Sequence, residues 1–76
     1  MRNGKLVARD DRTPGLEPLL VRLPIVIRMT GLARSTIYKM VAQDKFPAPV
    51  HLVGRTIAWR REEIETWTSA RPRVSH

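Results

Sequence analysis

The 76-residue chain contains no cysteine, so its own residues can form neither a disulfide framework nor a thiolate metal site. Its two histidines, His51 and His76, are far apart, and neither has carboxylates at metal-ligand spacing. The four glycines are isolated, which excludes a glycine-rich loop that could cradle phosphate groups. No nucleophile stands in a pattern with an activating base. We therefore expect no metal, no cofactor, no small-molecule ligand and no catalytic residue, and the sequence predicts that the chain is not an enzyme.

Long apolar runs are also absent. The most apolar run, residues 23–27, includes Pro24 and lies between two arginines. It is far shorter than the roughly 18 apolar residues that indicate a membrane span. The first residues include Arg2 and Lys5 but no apolar segment typical of a secretory signal. We therefore expect no membrane association and a cytoplasmic location.

Acidic residues are scarce in the middle of the chain. Residues 18–61 contain eight basic residues and one acid, Asp44, and they account for the net charge of +7. A cationic field of this kind attracts polyanions such as nucleic acids. Ordinary solubilising charge is the alternative interpretation. Binding to a membrane surface is a third, but no long amphipathic basic helix supports it.

The length allows one small domain. Residues 1–17 lack apolar periodicity and include the turn-forming Thr13, Pro14 and Gly15, which indicates a flexible arm. Pro72 ends any helix, so residues 71–76 are predicted to be a flexible tail. The ordered domain is therefore expected over residues 18–70.

Two short helices with a tight turn between them are predicted first. Residues 24–30 form a helix candidate because Pro24 suits a first helical position and apolar residues recur at helical spacing. Gly31 supplies the backbone freedom that a tight turn needs. Residues 34–43 form the second helix, with Ile37 and its helical neighbours on a buried stripe. Ala33 occupies the N-cap position without a capping side chain.

A hairpin and a third helix follow. Phe46 is expected in the core at the start of an extended link, because the prolines at 47 and 49 exclude a helix. Residues 50–53 and 56–59 are predicted strands, joined by a two-residue turn at Gly54 and Arg55. Residues 62–69 are the last predicted helix, with acids near its start. The fold class is thus mainly α with a small β-hairpin, a winged helix-turn-helix.

The second helix is the principal candidate for DNA contact. A helix fits the major groove, and its N-terminal residues usually meet base edges. Arginine at the turn of a hairpin can enter a minor groove. The candidate DNA-binding residues are Arg34, Ser35, Thr36, Tyr38, Lys39, Arg55, Arg60 and Arg61. A solvated helix face and a plain polar hairpin turn are the alternatives. Trp59 and Trp67 are expected to pack in the core rather than stack on bases.

Five motifs together carry a family resemblance: RLP at residues 22–24, TGLARSTIYK at 30–39, FPAPV at 46–50, AWR at 58–60 and IETW at 64–67. In this order the motifs resemble the AlpA family of prophage-associated regulators, related to excisionase and MerR-like winged helix-turn-helix domains. The resemblance implies sequence-specific DNA binding, with a recognition helix that starts near Arg34 and a wing at Gly54 and Arg55. It also implies control of an integrase gene, or an excisionase-like role at a prophage end.

Three residues depart from the family pattern. Ile25 stands where the family commonly has Glu, so its side chain is exposed or marks a contact between protomers. Ala33 replaces a capping Ser. Arg61 replaces a small polar cap ahead of the last helix, where it opposes the helix dipole but is placed to contact phosphate.

The leading hypothesis is a protein that binds double-stranded DNA, as a homodimer or as tandem copies on repeated sites, because one small module buries little surface. The alternative is an adaptor on the same fold that tethers an integrase or a replication protein, which Ile25 and the arms suggest. Binding of RNA or single strands is disfavoured, because the aromatic side chains look buried and form no stacking platform.

Overall fold

A computed structural model describes residues 17–75, which form three helices and a small antiparallel sheet. The chain order is strand, helix, helix, strand, strand, helix. The sheet has three strands in the order β1-β3-β2, so the strand that is last in sequence lies in the centre. The elements are β1 (Leu20–Val21), α1 (Leu23–Thr30), α2 (Arg34–Ala42), β2 (Val50–Val53), β3 (Thr56–Arg60) and α3 (Arg61–Ser69).

The turn between α1 and α2 confirms the role predicted for Gly31. This residue has φ of 76° and ψ of 8°, a left-handed conformation, and its N–H donates to the Ile27 carbonyl at 2.7 Å. The side chain of Thr30 reinforces the turn. Its hydroxyl donates to the Val26 carbonyl at 2.9 Å and accepts from the Leu32 N–H at 3.2 Å. A single hydroxyl thus joins the last turn of α1 to the segment that enters α2.

The two ends of α2 differ in how they are capped. Its N-cap is Ala33, which makes no side-chain capping bond, as the sequence predicts. Its C-terminal end is a Schellman motif in which Asp44 takes the left-handed position, with φ of 58°. The N–H groups of Asp44 and Lys45 donate to the carbonyls of Val41 and Met40, at 3.1 and 2.8 Å. This termination points the chain away from α2 and toward the sheet.

The predicted hairpin is present, and a third strand joins it. In β3, Ala58 pairs with Val50 of β2, with an irregular register near the turn, and Trp59 pairs with Val21 of β1. The two-residue β1 was not predicted. It is held further by a backbone bond from the Arg61 N–H to the Leu19 carbonyl at 2.8 Å.

The core draws one large buried side chain from almost every element. These residues are Val21 of β1, Val26 of α1, Ile37 of α2, Phe46 of the link, Trp59 of β3 and Ile64 of α3. The helices therefore enclose the core together with β1 and β3. By contrast β2 buries no residue fully, and its Val53 is 73% exposed. The residues of the β2–β3 turn are accordingly exposed to solvent.

The three helices and the two hairpin strands start and end within one residue of the predicted positions. The α3 helix starts at Arg61 rather than Glu62, so Arg60 takes the N-cap position expected for Arg61. Residues 71–75 have no regular secondary structure. The predicted arm lies, apart from Glu17, outside the described residues, so the division into arm, domain and tail stays a prediction.

Candidate nucleic-acid interface

The buried and exposed faces of α2 are those that its sequence periodicity predicts. Ile37 is fully buried, and Met40 and Val41 pack against the core. The opposite face is exposed and carries cations and hydrogen-bonding groups. That face comprises Arg34, Ser35, Tyr38, Lys39 and Ala42, with Thr36 half-buried at its edge. The burial of Ile37 fixes this face toward solvent, because a rotation of the helix would expose the core.

The N-terminal end of α2 is open. The first backbone bond of the helix runs from the Ile37 N–H to the Ala33 carbonyl at 3.0 Å. The N–H groups of residues 34–36 precede it and have no partner inside the helix. No acidic residue lies in the first turn, and Arg34 stands there instead. A cation at the positive end of the helix dipole is locally unfavourable, and a bound anion would offset this cost.

The turn between β2 and β3 carries a second exposed cation. Gly54 has φ of 56°, whereas Arg55 does not have positive φ, the combination that a type II′ turn requires. Arg55 is exposed, and no partner for its guanidinium is found among residues 17–75. The turn therefore presents one arginine to solvent at the end of the hairpin.

The two arginines at the start of α3 differ in their surroundings. Arg60 is exposed at the N-cap. The side chain of Arg61 is only 27% exposed, and its guanidinium donates to the Pro18 carbonyl at 2.7 Å and to the Glu65 carboxylate at 2.8 Å. Arg61 thus links the entry to β1 with α3. Its contact with a phosphate stays a prediction. In such a contact the guanidinium would have to bond to the phosphate as well as to Pro18 and Glu65.

Both tryptophans pack as predicted, and their N–H groups make bonds that the sequence did not indicate. The Trp59 indole is fully buried and donates to the Pro47 carbonyl at 2.8 Å. The half-buried Trp67 indole donates to the Lys45 carbonyl at 3.0 Å, and its ring meets Phe46 edge-on at 4.7 Å. Buried tryptophans usually find an acceptor, but spacing in the sequence does not say which one.

Neither a metal cluster nor a membrane span is found among the described residues. Among residues 17–75, the His, Asp and Glu side chains form no group of three that could hold a metal ion. Over the same residues, no helix combines the length and apolar character needed to cross a bilayer. The exposed face of α2 and the β2–β3 turn are the cationic surfaces on which the functional interpretation rests.

Two short helices joined by a tight glycine turn, backed by a third helix and a small sheet, are compatible with a helix-turn-helix fold. The family model described as Prophage CP4-57 regulatory protein (AlpA) matches residues 19–72. This chain belongs to that family, and the resemblance drawn from its motifs is confirmed.

Two relatives are each similar to about two thirds of the chain. A DNA-binding transcriptional activator AlpA from Escherichia coli (strain K12) is 36% identical in a 58-residue alignment that covers 68% of this chain and 83% of the relative. An uncharacterized protein ORF88 from Enterobacteria phage P4 is 39% identical over 51 residues, which is 67% of this chain. The match spans only 58% of the phage P4 protein. No solved structure matches the chain.

The family assignment also bears on the class of activity. The matched family is described as regulatory, and the Escherichia coli relative is named as a transcriptional activator. The prediction that the chain is not an enzyme is confirmed by its membership of a family of regulators. Which of its residues contact DNA stays a prediction.

Proposed function

We propose that this chain is a winged helix-turn-helix protein that binds double-stranded DNA with sequence specificity and regulates transcription in a phage or prophage. In this proposal α2 enters the major groove, and Gly54 and Arg55 of the wing contact the minor groove or the backbone. The observation that carries the proposal is the exposed face of α2, where Arg34, Ser35 and Lys39 stand opposite the buried Ile37.

The dimensions of α2 support this arrangement. Nine residues give a helix about 13 Å long at 1.5 Å per residue. A major groove about 12 Å wide accepts one such helix. Arg34 at the N-terminal end can bridge the O6 and N7 atoms of a guanine, while Ser35 and Thr36 can bond to bases or phosphates. The free N–H groups of the first turn are suited to a phosphate oxygen.

The remaining candidates would act mainly through charge. Tyr38 and Lys39 lie one turn further along α2, within reach of the backbone or the groove edge. Arg55 would supply a second point of contact, and Arg60 and Arg61 would add charge beside β3. Contacts to phosphate give affinity and register, whereas contacts to base edges give specificity. We therefore assign discrimination to the start of α2 and general affinity to the other cations.

The biological role is inferred from the relatives. The Escherichia coli relative is a DNA-binding transcriptional activator, which favours regulation of a promoter over an adaptor role without DNA. Excision of a prophage with an integrase as partner is a second role that we propose for the same site. In both roles the protein acts in the bacterial cytoplasm at the nucleoid, as a dimer or as tandem copies on repeated sites.

A selection experiment followed by titration tests the proposal. Duplexes that the protein prefers would be selected from a random library and from the DNA that flanks its own gene. Fluorescence anisotropy at physiological salt would then compare the selected duplex with a scrambled one of the same length. We expect the selected duplex to bind about 10³-fold more tightly or better. Equal binding to both duplexes would contradict sequence specificity, and binding to neither would favour the adaptor.

A matched pair of variants connects the titration to the site. Lys39→Ala removes one cation from the exposed face of α2, and Arg73→Ala removes one from the segment after α3. Both residues are exposed, so neither substitution disturbs the core. We expect Lys39→Ala to weaken binding several-fold and Arg73→Ala to have little effect. Equal losses would show that net charge, rather than this face, controls the affinity.

A further inference from the structure

The two tryptophan N–H groups bind the same short segment of backbone. Trp59 of β3 donates to the Pro47 carbonyl at 2.8 Å, and Trp67 of α3 donates to the Lys45 carbonyl at 3.0 Å. These two acceptors are two residues apart in the link between α2 and β2. The side chain between them, Phe46, is buried and packs against Trp67. Every residue from 45 to 47 is therefore held by the sheet or by α3.

This segment sets where β2 begins relative to the end of α2. The helix stops in the Schellman motif at Asp44, and the held segment begins at the next residue. Pro47 and Pro49 then fix φ over the remaining path to β2. The β2–β3 turn is joined to the core through β3, whose Ala58 and Trp59 are buried. Its other strand, β2, is connected to α2 by this link.

The Trp67 indole is itself supported by the chain beyond α3. The guanidinium of Arg71 lies over the ring, 4.2 Å from its centroid, and its Nε donates to the Trp67 carbonyl at 3.2 Å. Phe46 meets the same ring edge-on. Because two neighbours hold the ring in place, its N–H stays directed at the Lys45 carbonyl. The bond can therefore fix the position of the link.

We propose that Trp67 and Trp59 are positioning residues, whose N–H groups fix the spacing between α2 and the β2–β3 turn so that both reach one duplex. This inference rests on the proposed function, in which the two elements contact the same DNA. Two bonds directed at one link carry it. A buried indole usually finds some acceptor, but these two indoles donate to two carbonyls of the one segment that joins the two contacting elements.

A double-mutant cycle separates positioning from stability. One change is Trp67→Phe, which keeps an aromatic ring and removes the N–H; the other is Arg55→Ala, which removes the contact at the turn. Affinity for the selected duplex would be measured for the wild type, both single variants and the double variant, at a temperature where circular dichroism shows each to be folded. Residues that act on one geometry show coupling, whereas independent residues are additive.

We expect Arg55→Ala to weaken binding about tenfold in the wild type and less than about threefold in the Trp67→Phe background. The reason is that, when the turn is no longer held at the correct distance from α2, Arg55 contacts the DNA less, so its removal costs less affinity. A purely structural role for Trp67 would leave the cost of Arg55→Ala the same in both backgrounds, and this additivity would overturn the inference. No effect of Arg55→Ala in the wild type would overturn it as well.

A second variant keeps the test valid if Trp67→Phe does not fold. Chemical synthesis of the full chain can replace Trp67 by β-(3-benzothienyl)alanine, which keeps the two-ring shape with sulfur in place of the N–H. The same cycle with this residue should show the same coupling, and additivity would again count against the inference. A wild type that prefers no duplex would overturn the proposed function and the inference together. Clear preference with an additive cycle would overturn the inference alone.

Discussion

The hydroxyl of Thr30 is expected to stabilise the turn between α1 and α2, and its removal should lower the free energy of unfolding. It donates to the Val26 carbonyl and accepts from the Leu32 N–H, so one side chain serves both sides of the turn. Thr30→Val keeps the branched shape and removes both bonds. The Val26 carbonyl can accept from other donors. The Leu32 N–H, in contrast, loses its acceptor at a half-buried site.

The expected cost follows from that lost acceptor. A typical hydrogen bond contributes about 0.5–1.5 kcal/mol net, and a buried donor left without a partner costs about 1–3 kcal/mol. Because Thr30 and Leu32 are half-buried, water can replace part of the interaction. We therefore expect Thr30→Val to lower the free energy of unfolding by about 1 kcal/mol. In a domain of this size that corresponds to a decrease in Tm of roughly 4–8 °C.

The assay is urea and thermal unfolding, followed by tryptophan fluorescence and circular dichroism. Thr68→Val is the matched control, because Thr68 is also half-buried and its hydroxyl makes one solvent-exposed bond, to the Glu65 carbonyl at 2.8 Å. No N–H donates to this hydroxyl among the described residues, so the control should change stability by less than about 0.5 kcal/mol. If Thr30→Val is no more destabilising than Thr68→Val, the reasoning about the turn is refuted.

Three further substitutions test the site and the end of α2. Arg34→Ala should reduce discrimination between the selected and the scrambled duplex by about 1–3 kcal/mol in competition binding, and equal loss on both duplexes would contradict base contact. Arg55→Ala should weaken binding more evenly and make the slope of log K against log salt less negative by about 1; an unchanged slope would argue against phosphate contact. Asp44→Gly should raise the free energy of unfolding by about 0.5–1 kcal/mol in urea, because Asp44 has φ of 58°. An equal gain from Asp44→Ala would attribute the effect to charge instead.

The sequence predicts the elements that have a period or a turn signal. The stripe of Ile37 and its helical neighbours places α2, and Gly54 and Arg55 place the hairpin, because these are local patterns. The two-residue β1 has no period to detect. Its pairing depends on Trp59 and Arg60, some forty residues later in the chain, and no local rule connects them.

The candidate site divides in the same way. Which α2 residues face solvent follows from helical spacing, and the structure agrees. The surroundings of Arg61 do not follow, because its partner Pro18 is 43 positions away. The left-handed Asp44 also escaped prediction, since glycine is the usual residue there. Acceptors of side-chain N–H groups are set by tertiary packing, so the bonds of the two tryptophans were not foreseeable.

The central claim is that the exposed face of α2 lies in a DNA groove, and a tethered cleavage reagent tests it most directly. Because the chain has no cysteine, a single introduced thiol can carry an iron chelate without background labelling. Ala42→Cys places the reagent on the exposed face of α2, and Glu63→Cys places it on the acidic first turn of α3. We predict strand cleavage within the selected duplex from position 42 and little from position 63. Cleavage from position 63 with none from position 42 would contradict the account.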